Sequence, residues 1–132
     1  MLQYTTLIEA KLLNRNILGV DINPAALRRC SEKTAFKYPG SGKVYLREGD
    51  ARNLDFVRDE HIDFICTHPP YADIIKYSKD IENDLSLLMV QDFLSEMRAV
   101  AKESFRVLKK GRFCAILMGD TRKKRSYRTN EL

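Results

Sequence analysis

Residues 62–71 read Ile-Asp-Phe-Ile-Cys-Thr-His-Pro-Pro-Tyr, and this run constrains the fold more than any other in the chain. Ile62, Phe64, Ile65 and Cys66 make a short apolar stretch of the kind found in a parallel sheet covered on both faces. His68-Pro69-Pro70-Tyr71 follows immediately. In open α/β sheets ligands bind beyond the carboxyl ends of the strands, so this turn stands where a site is expected. The two prolines fix the backbone, remove two N–H donors and leave carbonyl oxygens in set directions. The product is a stiff, acceptor-rich turn with an aromatic ring at its tip.

Strands and helices alternate around that run. Apolar spacing predicts a helix over residues 5–13, stopped by Asn14-Arg15-Asn16, and then a short buried strand over 17–21 that ends on Asp21. Asn23 is placed to cap, and Pro24 to begin, a helix reaching residue 36. A loop around Pro39-Gly40-Ser41-Gly42 leads to a strand over 43–48, closed by Gly49-Asp50. A polar connection precedes the central run, and residues 72–88 carry no clear pattern. Phe93, Leu94, Met97, Val100, Ala101, Phe105 and Leu108 mark a helix over 91–108, with Lys109-Lys110-Gly111 as its expected stop. An unbroken apolar strand, Phe113 to Met118, closes the pattern. Such alternation predicts a parallel, doubly wound α/β sheet. Right-handed crossovers would bring Asp21, Asp50 and the His68 turn to one edge of it. Carboxylates at that edge suit hydroxyl and amino donors, as on a nucleoside, and suit a phosphate poorly.

Composition sets the outer limits. At 132 residues the chain is one domain, and 44% hydrophobic with 31% charged residues is ordinary for a soluble protein. No apolar run approaches the roughly 20 residues a membrane span requires. The first residues lack the pattern of a signal peptide, which predicts a cytoplasmic protein. Cys30, Cys66 and Cys114 are far apart and odd in number, so they read as reduced core or near-core residues. His61 and His68 have no partner at metal-ligand spacing, and no metal site is expected. Of the net charge of +5, residues 121–132 supply +4, from Arg122, Lys123, Lys124, Arg125 and Arg128 against Glu131. That places a basic tail after a domain spanning residues 1–120; it is compatible with phosphate contacts and equally with a solvated end.

The residues resemble a known family, the adenosylmethionine-dependent methyltransferases acting on exocyclic amino groups of adenine or cytosine in DNA. The likeness rests on Gly19-Val20-Asp21-Ile22-Asn23-Pro24, Glu48-Gly49-Asp50-Ala51, His68-Pro69-Pro70-Tyr71 and Val107-Leu108-Lys109-Lys110-Gly111-Arg112. It implies a three-layer Rossmann-like methyltransferase fold with a mostly parallel sheet. It also implies that Asp21 holds the ribose hydroxyls of S-adenosylmethionine, that Ile22 packs on its adenine, and that Asp50 with the Ala51 amide reads the adenine edge. His68, Pro69, Pro70 and Tyr71 would hold the target base, an extruded nucleotide stacking on Tyr71. DNA is the partner so implied, with RNA an alternative, and a non-catalytic remnant binding nucleic acid or another chain is a third reading.

Two departures qualify the resemblance. The family usually has Asp, Asn or Ser where this chain has His68. Neutral imidazole offers one acceptor nitrogen and imidazolium none, so activity is expected to fall below about pH 6.5. The family also has a first strand ending in Phe-x-Gly-x-Gly ahead of the opening helix, where this chain has Met1-Leu2-Gln3-Tyr4, and it continues through a last strand pair. The expectation is a relative truncated at both ends. The first strand lies between those bearing Asp21 and His68, so the gap would be closed by direct pairing, by the termini or by a second copy. An unpaired central edge favours self-association, and a homodimer is expected.

Overall fold

The computed structural model describes residues 4–70, 81 and 84–119. It opens with helix α1 (Tyr4–Leu12), strand β1 (Ile17–Asp21), helix α2 (Pro24–Thr34) and strand β2 (Val44–Glu48). Helix α1 ends as its sequence requires: Arg15 N donates to the Ala10 carbonyl at 2.9 Å, and Asn14 takes φ 53°, a left-handed cap position that asparagine tolerates. Strands β1 and β2 are parallel, in register from Ile17 opposite Val44 to Asp21 opposite Glu48. The start of α2 is set locally. Asn23 Oδ1 accepts from Ala25 N at 2.9 Å and Ala26 N at 3.3 Å, while Pro24 occupies a first-turn position whose missing N–H costs nothing. At the other end, Lys11 Nζ donates to the carbonyls of Thr34 and Phe36, both at 2.6 Å. A cation thus meets the orphan acceptors at the negative end of the helix dipole. Leu7, Ala26 and Cys30 are buried where α1 and α2 pack on each other and on the strands.

The second half comprises β3 (Ile62–Thr67), a 3-10 turn (Leu85–Leu87), α3 (Val90–Val107) and β4 (Leu108–Ile116). Strands β3 and β4 are also parallel. Segment 49–61 ties this half to the first. Glu60 N and His61 N donate to the carbonyls of Arg106 and Val107 at 2.9 and 2.8 Å, and Val57 of the same segment is buried. The Arg106 guanidinium adds bonds to the carbonyls of Leu54 and Val57 at 2.8 and 2.9 Å.

The architecture is α/β with parallel strand pairs, as the alternation predicts, but the sheet differs in three respects. First, the described strands form two two-stranded sheets, β1–β2 and β3–β4, and the described residues include no pairing of β1 with β3. Second, Lys109-Lys110-Gly111 is not a helix stop: α3 ends at Val107, and these residues lie in β4. Between Ile62 and Phe64 the partner strand advances from Leu108 to Phe113, and the bulge is turned by Gly111 at φ 72°. A glycine that would suit a helix cap serves equally in a bulge, since both require the left-handed region. Third, the apolar runs of β3 and β4 are not covered on both faces. Phe64 is 57% exposed and its register partner Phe113 77%, while Cys66 and Cys114, expected near the core, are exposed. Within α3 only Phe93 of the expected apolar stripe is buried, together with Val107, which lies outside that stripe, and Phe105 is 85% exposed. Among the described residues no side chain of β3 or β4 is buried, and residues 111–116 of β4 are exposed on both faces. No described helix is long and apolar enough to cross a membrane.

Candidate functional site

Strand ends position the acids. Asp21 closes β1, and its Oδ1 accepts from Asn23 N at 2.8 Å, an Asx turn that fixes the carboxylate just ahead of α2. The Cys30 thiol of α2 registers the result: burial chiefly, and then the charge of Asp21, push its pKa up. Gly49 N donates to the Asp21 carbonyl at 3.1 Å, so the chain leaving β2 is bonded to the end of β1. A Cβ at position 49 would meet Phe56 and the Val20 side chain at 3.3 Å, and glycine permits this approach. Asp50 therefore follows one residue after a direct link to Asp21. Ile22 is half-buried beside them, and Ala51 is exposed in the turn closed by Asn53 N on the Asp50 carbonyl at 3.0 Å.

Asp50 is held by Arg52. Arg52 Nε donates to both carboxylate oxygens at 3.0 and 2.9 Å, Nη2 bonds Oδ2, and the Arg52 backbone N donates to Oδ1 at 2.9 Å. Nη1 reaches across to Glu96 Oε2 on α3. Burial pushes the Asp50 carboxyl up, but the Arg52 hydrogen bonds and charge outweigh it and hold the group below its ordinary range. Asp50 is thus ionised at neutral pH, an acceptor at a fixed position. Sequence reading passes over both Arg52 and Glu96. Asp-x-Arg is a weak local signal, and Glu96 lies 44 residues away.

The His68 turn closes β3 as expected. Leu117 N donates to the Thr67 carbonyl at 2.9 Å, so the β3–β4 pairing runs to the residue before His68. Pro69 is buried, and His68 and Pro70 are half-buried. Tyr71 lies outside the described residues. The structure therefore joins Asp21 to Asp50 on one sheet and sets His68, Pro69 and Pro70 at the corresponding end of the other. Among the described residues no ladder of strands connects the two groups.

This donor set fits the adenosine half of S-adenosylmethionine. Two carboxylates at adjacent strand ends, one ionised by an arginine clamp, are acceptors for a ribose diol and an amino group. Among the described residues no group of three His, Cys, Asp or Glu side chains is placed to hold a metal ion. Searches of curated proteins and of solved structures return no match. A family model described as UPF0020, RMKL-like, methyltransferase domain, matches residues 3–130, nearly the whole chain. With parallel strands presenting acids at their carboxyl ends, the fold is Rossmann-like, and the chain belongs to the RMKL-like methyltransferase domain family.

Proposed function

We propose that this chain takes part in adenosylmethionine-dependent methylation of an exocyclic amino group on a nucleic-acid base, with a DNA adenine or cytosine as the first reading. The observation that carries it is the backbone link between the ends of β1 and β2, which sets Asp21 and the Gly49-Asp50 turn side by side at one edge of the sheet. Asp21 would accept from the ribose hydroxyls, Ile22 would flank the adenine, and Asp50 with the Ala51 amide would read its edge.

The cofactor supplies an electrophilic methyl group. The amine it meets is a weak nucleophile, because its lone pair is delocalised into the base. Acceptors for its N–H groups favour the localised form, and they gain strength where water is excluded. The ring nitrogen of His68 and the carbonyl of Pro69 are such acceptors, held by a buried proline at the end of β3. Tyr71 would stack on the base. An RNA amino group is the second reading, favoured by membership of a family that includes RNA methyltransferases.

Calorimetry with S-adenosylmethionine tests the cofactor site, and transfer of labelled methyl to DNA or RNA tests the substrate. Binding that survives Asp21→Ala together with Asp50→Ala would refute the assignment of the acids. Transfer to RNA alone would refute the DNA reading.

A further inference from the structure

The end of the β1–β2 pair opposite the acids carries a second concave surface. There the last turn of α2, the loop into β2 and the start of β2 enclose a groove of about 740 Å³. Its charged lining residues are Lys11, Lys37 and Lys43, with no carboxylate among them, and they alternate with the rings of Phe36, Tyr38 and Tyr45. Lys11 is committed to the fold: it bonds the end of α2 and lies 4.4 Å above the Phe36 ring. Lys37 and Lys43 have no side-chain hydrogen bond or ion pair among the described residues. Tyr38 and Tyr45 are 54% and 53% exposed, so both rings offer apolar surface to the solvent.

The groove wall is built. Ser41 N donates to the Tyr38 carbonyl at 3.1 Å across Pro39 and Gly40, the latter at φ 71°, which is the residue pattern of a type II turn. Gly42 N donates to the Lys11 carbonyl at 2.9 Å, and Gly42 lies so close to Arg15 that a Cβ there would stand 2.0 Å from its carbonyl oxygen. Rings and cations are therefore presented on backbone that is already ordered, which lowers the entropy cost of binding.

We infer that this groove docks a single-stranded segment of nucleic acid, with phosphates on Lys37 and Lys43 and unpaired bases on Tyr38 and Tyr45. Cations that track a backbone beside rings that stack on bases are the shared chemistry of single-strand binders. A duplex has no free base faces to offer the rings. The inference goes beyond methyl transfer, because docking here requires neither the cofactor nor the strand-end acids.

Fluorescence anisotropy of the full chain with labelled oligouridylate, oligothymidylate and a duplex of equal length tests it. Single strands should bind more tightly than the duplex. The K37E/K43E pair and the Y38A/Y45A pair should each weaken binding by about tenfold or more, and Y38F/Y45F should restore it. Comparison of the two single strands separates RNA from DNA as the source. K123E/K124E, with the same change in net charge, should weaken binding less than K37E/K43E. Equal losses from these two charge reversals, unchanged affinity in Y38A/Y45A with circular dichroism intact, or a preference for the duplex would overturn the inference.

Discussion

Replacing Arg52 with methionine tests whether Asp50 is held where the cofactor reading needs it. The guanidinium makes side-chain bonds to both Asp50 oxygens and one to Glu96, and it is 19% exposed. Its two bonds from Nε share one proton, so they count as a single interaction. Charged hydrogen bonds contribute roughly 1.5–3 kcal/mol each, and those open to solvent far less. With Asp50 32% exposed and Glu96 37% exposed, R52M is expected to cost about 2 kcal/mol of unfolding free energy at pH 7. R52K should recover only part of the loss, since lysine keeps the charge without the planar fork. The pH dependence has a fixed sign. Asp50 in the folded chain lies below its ordinary value of 3.8, so its contribution is present above that pH and is lost as pH falls through the folded value. Urea unfolding followed by circular dichroism should show a wild-type advantage that is full at neutral pH and shrinks below about pH 4. A cost under about 0.5 kcal/mol, or one unchanged on acidification, would refute the clamp. S-adenosylmethionine affinity in R52M should fall with it.

Other outcomes follow from the same geometry. Asn23→Ala removes the acceptor for Ala25 N and Ala26 N and should cost about 1 kcal/mol by thermal unfolding, while Asn23→Asp should cost little. Gly42→Ala forces a Cβ to 2.0 Å from the Arg15 carbonyl oxygen; denaturant titration should show a loss of about 2 kcal/mol or more, the scale of backbone overpacking. Glu103 accepts from Arg106 and from Leu54 N, and these bonds lower its pKa to about 2 from the ordinary 4.5. Its contribution is complete above 4.5 and fades toward 2, so the deficit of Glu103→Gln in urea unfolding should be larger at neutral pH than near pH 3. Phe64 and Phe113 share an exposed face of β3–β4, and light scattering at micromolar concentration should report a dimer mass; a monomer mass would refute self-association through that face.

The legible parts of this protein are the local ones. Proline and asparagine placement specified the start of α2, because capping is decided within three residues. The acids at the ends of β1 and β2 and the proline turn after β3 stood out because each lies within a residue or two of its strand. The parallel alternation of elements was legible for the same reason. Long-range choices were hidden. Gly111 reads as a helix stop and becomes a bulge, since only the partner strand determines which use of the left-handed region applies. The apolar runs of β3 and β4 read as doubly covered, yet Phe64 and Phe113 are exposed. Hydrophobicity records what a strand can bury, and only packing decides what lies upon it. Residues 62–70 thus determined by themselves a strand and a rigid acceptor turn. The tertiary structure alone set that turn on a separate sheet from Asp21 and Asp50 and recruited Arg52 and Glu96 to fix Asp50, because a contact between positions 52 and 96 exists only once the chain has folded.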